Sequence, residues 1–160
     1  MRRRLRPVGM DFAESAPVRL VFETEVRSDA DAVYRALAEE VTGWPAWFRA
    51  VTLARPMHGG AGREVRLVGG VRFEETVMAA DPGRRYAYRV DETNLPGPQA
   101  LLEEWRLTPA GTGTRVRWTF ATTGPAPFRL ALRSARPGLG RAFRDATRAL
   151  DRRLAAPQRG

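Results

Sequence analysis

Two glutamates stand where the alternation of a strand calls for apolar side chains. In the segment 71–79, Val71, Phe73, Glu75 and Val77 share one face, and in 100–108 Leu101, Glu103, Trp105 and Leu107 do. A carboxyl group in such a register must pair, take up a proton or meet water. Burial would lift its pKa toward the range useful for proton transfer. The segment 84–90 puts Tyr86, Tyr88 and Val90 on one face, and in a meander it lies between the two glutamate strands. Glu75, Glu103, Tyr86 and Tyr88 are therefore the candidate catalytic or ligand-orienting groups. The plainer alternative places one or both glutamates at a strand end, in solvent or against an arginine. These faces hold only if each strand is continuous, because a one-residue slip exchanges them.

A second constellation is aromatic. Trp44, Trp47 and Phe48 fall within five residues, between Gly43 and Val51 and around Pro45. They either line a pocket mouth or plug a sheet against its helices. Trp105 and Trp118 lie on inward faces, as core or as ligand wall. With Phe73, Phe143 and the four groups above, these residues make up the candidate ligand-binding set, and their rings can stack on a planar ligand. Arg63 shares a register with Val65 and Leu67. It reads as a surface arginine, with an inward guanidinium able to bind a carboxylate or a polarised carbonyl as the alternative.

Several chemistries are excluded. There is no cysteine, so thiolate nucleophiles, thiolate metal sites and disulfides are absent. His58 is the single histidine and sits in a Gly-rich loop, so no metal cluster is expected around it. Gly59, Gly60, Ala61 and Gly62 lack the Lys-Ser/Thr ending and the following helix of a phosphate loop. No Gly-x-Ser-x-Gly elbow occurs. No cofactor is implied.

The 160 residues suit one domain, with 43% apolar and 28% charged residues. All 27 basic residues are arginine, and the net charge is +9. The arginines are dispersed rather than gathered on one face with interleaved aromatics, which argues against nucleic acid as the main partner. No apolar run reaches membrane-span length, although contact with a membrane surface is left open. The basic start Met1–Arg6 is followed by Pro7, Gly9, Asp11 and Glu14 rather than an apolar stretch, so the expected location is cytoplasmic.

The elements that must position these residues can be read in order. Residues 1–16 lack periodicity and are expected as a flexible basic tail, leaving 17–156 as the domain. Val18–Val26 alternates as a half-buried strand. Ser28 and Asp29 open a helix whose stripe is Ala30, Val33, Tyr34, Leu37 and Ala38. A second short helix is expected over 46–50, with Pro45 in its first turn. Strands follow near 51–55, 63–69, 71–79, 84–90, 100–108 and 114–121, separated by turn chemistry that includes Gly69–Gly70 and Asp81–Pro82–Gly83. Leu139, Phe143, Ala146, Leu150 and Leu154 mark a long C-terminal helix, and 127–136 is a separate short helix or a lid-like loop.

This order resembles the helix-grip (SRPBCC, START-like) superfamily, which includes START-type lipid-transfer domains, birch-pollen-allergen-like proteins and bacterial polyketide cyclase/dehydrase-like proteins. The resemblance covers about residues 18–155 and rests on four pieces: Ala32–Val33–Tyr34, Trp44–Pro45–Ala46–Trp47, the run from Asp81 to Tyr86, and the run from Leu107 to Trp118. It implies an α+β fold with a seven-stranded curved antiparallel sheet gripped by the C-terminal helix. It also implies a hydrophobic pocket between them, no metal and no fixed cofactor. The expected function is binding of a small hydrophobic or aromatic molecule. The alternatives are a polyketide aromatase/cyclase-like enzyme, or a module contacting RNA, ribosomes or anionic membrane.

Overall fold

The computed structural model describes residues 1–156. Seven long strands form one antiparallel sheet: β2 (Val18–Val26), β3 (Val51–Met57), β4 (Gly62–Leu67), β5 (Arg72–Asp81), β6 (Arg85–Thr93), β7 (Ala100–Ala110) and β8 (Gly113–Thr123). Their order is β2-β8-β7-β6-β5-β4-β3, so β3 to β8 run as a meander and β2 returns to pair with β8. Short turns permit only this antiparallel arrangement. Gly69 and Gly70 both have positive φ (88° and 85°), and the β4–β5 turn they form extends over residues 68–71.

Between β2 and β3, helix α2 (Ala30–Tyr34) is capped by the Asp29 side chain, which accepts from the Ala32 amide at 2.8 Å. The helix widens into a π turn through Glu39, followed by a 3-10 turn over Val41–Gly43. Helix α3 then spans Trp44–Trp47. It starts two residues before the 46–50 expected from the sequence, and Phe48 is already extended. Pro45 accounts for this, since its fixed φ and missing N–H suit the first turn. Trp44 Nε1 also donates to the Leu37 carbonyl at 3.0 Å, fixing α3 against the end of the preceding helix.

The sequence reading places 1–16 as a flexible tail; the structure packs this segment onto the sheet. β6 and β7 pair only from Arg85↔Arg106 to Arg89↔Leu102, and strand β1 (Arg3–Arg4) pairs with β6 beyond that point. The Leu5 amide donates to the Asp91 carbonyl and the Arg6 amide to the Gln99 carbonyl, both at 2.8 Å. The segment thus satisfies backbone groups that the separating strands leave free. Helix α1 (Phe12–Ser15) follows, and Val8, Phe12, Ala13 and Ala16 pack with Ala100, Leu102 and Ala121 in a small core on the outer face of the sheet.

The main core lies on the other face. Helix α5 (Arg136–Ala155) crosses it and buries Phe143, Ala146 and Leu150. Asp151 anchors its far end, accepting from the Arg27 and Ser28 amides (3.0 Å each) and the Ser28 hydroxyl (2.7 Å). Residues 126–134 form a separate short helix, α4 (Ala126–Ser134).

Candidate functional site

Strand register brings the chemistry-bearing residues together. Arg63 on β4 stands directly opposite Glu75 on β5, and Tyr88 on β6 opposite Glu103 on β7. Directly opposed residues share a face and touch. Arg63, Glu75 and Glu103 are 2%, 4% and 7% exposed. Arg63 Nε donates to Glu75 Oε2 in a buried ion pair. The surface arginine favoured from the sequence is thus corrected: the guanidinium is inside, 3.8 Å from the Tyr88 ring centre, 4.4 Å from Trp44 and 5.6 Å from Tyr86. Three electron-rich faces and one carboxylate replace the water it gives up.

Two carboxyl groups are buried beside one guanidinium, which pairs with only one of them. Burial pushes the Glu75 carboxyl above its ordinary value, against the pull of Arg63. Glu103 has no cation in contact. Burial first, then the Glu75 charge, pushes it up to about 8, so it is protonated at neutral pH. It accepts from Trp118 Nε1 at 2.9 Å, and Trp105 Nε1 is 3.2 Å from the Tyr88 hydroxyl. Burial also holds the Tyr86 and Tyr88 hydroxyls above the usual tyrosine range.

The aromatic candidates form a continuous stack over this network. Trp105 and Trp118 stack at 5.5 Å between ring centres, Trp118 and Phe143 at 5.9 Å, and Trp44 lies 4.8 Å from Trp47. Phe48 meets Trp118 edge-on, and Phe73 is buried in the same core. The space expected between sheet and C-terminal helix is filled by these rings. What remains near Leu37, Trp105 and Leu150 has no room for a water-sized molecule. Large aromatics on both sides meet before a cavity can open.

Two clefts reach this core from its sides. One, of about 230 Å³, lies between the α2–π segment and strands β4 to β6, with Tyr34, Val41, Arg63, Val77 and Tyr86 in its wall. The other, of about 220 Å³, lies between Phe48–Ala50 and the Gly138–Ala146 stretch of α5. Arg63 Nη1 is buried and has no hydrogen-bond partner, alone among buried side-chain nitrogens and oxygens of the described residues. Such an orphan donor costs about 1–3 kcal/mol.

A family model described as polyketide cyclase / dehydrase and lipid transport matches residues 17–155. The chain belongs to this family. An uncharacterized protein of Mycobacterium tuberculosis is 29% identical over 160 residues, covering 94% of this chain and 95% of its own. Among solved structures, the protein XoxI from Bacillus cereus superposes with a TM-score of 0.70 at 15% identity, covering 89% of this chain and 99% of that one. A START superfamily protein from Mycobacterium smegmatis gives 0.66 at 11% identity over 85% and 96%, and the major latex-like protein 151 of Panax ginseng gives 0.67 at 14% over 87% and 98%. At these identities the likeness establishes the helix-grip fold. The family is one of hydrophobic-ligand-binding proteins, and it leaves the ligand of this member open.

Within this family member, the sequence placed Glu75, Glu103, Tyr86 and Tyr88 on one face, and they do meet there. It missed Arg63 as their partner, and it missed Tyr34, which lines the cleft from the helix side. The available signal was positional: Arg63 shares its alternation with Val65, which is buried.

Proposed function

We propose that this protein binds a small hydrophobic or aromatic ligand bearing a hydrogen-bond-accepting oxygen, held at Arg63 in the cleft beside Tyr34 and Tyr86. The observation that carries this reading is that Arg63, whose buried Nη1 has no partner, lines an open cleft. An acceptor oxygen placed there regains the missing hydrogen bond, and the apolar walls supply most of the affinity. Glu75 already balances the guanidinium charge, and Glu103 is neutral. A carboxylate would therefore bury an excess negative charge, which favours a carbonyl or phenolic oxygen. The cleft volume takes about one ring, since a cavity of about 150 Å³ holds benzene. Glu103 and Tyr88 line neither cleft, which favours binding over the cyclase-like enzyme reading.

Titration followed by tryptophan fluorescence tests the idea, using pairs of aromatic compounds that differ only in one carbonyl oxygen. The carbonyl member should quench saturably and bind at least about tenfold tighter than its hydrocarbon partner. Equal affinities, or no saturable response from a folded protein, would contradict it.

A further inference from the structure

Helix α4 is apolar on two sides. Phe128 and Leu132 face inward; a Cβ added to Gly97 or Gly124 would lie 2.4 Å or 2.6 Å from the Phe128 ring, so the ring sits directly on their backbone. Ala126, Pro127, Leu130 and Ala131 are exposed on the outer side, with Leu130 67% exposed. No residue of the helix is fully buried. The helix also carries Arg129 and Arg133, and Leu130 stands uncovered on its outer side.

The segment that carries this face is basic up to Asp145. Residues 124–144 contain five arginines (Arg129, Arg133, Arg136, Arg141 and Arg144) and no acidic residue. None of the five forms an ion pair among the described residues. A second exposed apolar side chain stands at the same end of the molecule. Val68, 63% exposed, sits on the β4–β5 turn. Asn94 Nδ2 donates to the Gly70 carbonyl at 2.9 Å, tying that turn to the β6–β7 loop, whose Gly97 lies under Phe128.

We propose that this end, led by α4, docks on the surface of an anionic phospholipid bilayer. Leu130 and Val68 would enter the headgroup boundary, and the arginines would meet lipid phosphates. The exposed side chains are aliphatic, and the one aromatic ring of α4 is turned inward, so the stacking platform of a single-stranded RNA site is missing. No helix among the described residues is long and apolar enough to span a membrane, so the contact is interfacial.

Co-sedimentation of the whole protein with lipid vesicles tests this. Vesicles containing about one third phosphatidylglycerol should bind at about 0.05 M salt and release the protein at about 0.5 M, where screening is short-ranged. Vesicles of phosphatidylcholine alone should bind little. Leu130→Asp and the pair Arg133→Glu with Arg141→Glu should each weaken binding at least about tenfold. Both alter exposed side chains, and circular dichroism checks the fold. Arg152→Glu with Arg153→Glu makes the same change in net charge at the far end of α5 and should leave binding nearly unchanged. An equal loss from that control pair, an unaffected Leu130→Asp, no binding to anionic vesicles, or preference for polyuridylate over vesicles would each overturn the proposal.

Discussion

Arg63 is the residue on which the interior electrostatics turn. Its charge is retained because Glu75 and two π faces stand within contact distance. Breaking a buried pair by removing one partner leaves an uncompensated charge. Arg63→Met should therefore destabilise the fold by about 3–5 kcal/mol, and adding Glu75→Leu should recover most of the loss. Chemical denaturation of both variants checks this; equal stability of single and double variants would mean that the pair is not coupled. Glu103 gives a pH signature of the opposite kind from an ion-paired acid. Its folded value, about 8, lies above the ordinary 4.5, so the folded state holds its proton across that interval. The stability it supports is full below about pH 4.5 and is lost as pH rises through about 8. Glu103→Gln, always neutral, should lack this decline and be relatively more stable at alkaline pH. Parallel stability profiles for the two proteins would show that Glu103 ionises normally.

At the scale of elements, the N-terminal segment departs most from its sequence reading. Leu5, Val8, Phe12 and Ala13 have no regular spacing, and Pro7 and Gly9 interrupt them, so nothing local marks the segment as structured. The complementary mark lay elsewhere in the chain: Ala100, Leu102 and Ala121 are apolar on what reads as the solvent face of β7 and β8, and all are fully buried. Phe12 bridges the two, so Phe12→Ala should cost about 3 kcal/mol in thermal or chemical unfolding. A change near zero would mean that this outer core contributes nothing. The strands were legible because alternation and turn residues agree along most of the sheet. The β5 register shifts beside Glu75 and Val77 were not, because a bulge leaves little trace in a single strand's pattern. Arg63 was illegible for a different reason. Arginine is mostly a surface residue, and only the pairing of β4 with β5 puts Glu75 opposite it.

For the whole molecule, the helix-grip architecture followed from element order, whereas the state of its interior did not. Whether a curved sheet and a long helix enclose space depends on side-chain volume from both layers, and here Trp105, Trp118 and Phe143 meet and close it. The proposed recognition site is therefore the side cleft, lined by Arg63, whose guanidinium holds the one unsatisfied buried side-chain donor among the described residues. The most direct test is nitrogen-15 NMR of the arginine side chains while a carbonyl-bearing aromatic ligand is titrated in. A buried guanidinium exchanges its protons slowly and should stand apart from the exposed arginines. The account predicts that the Arg63 Nη1 resonances move in proportion to occupancy, with no comparable shift for the hydrocarbon analogue. Saturable binding that leaves the Arg63 resonances unmoved would contradict it.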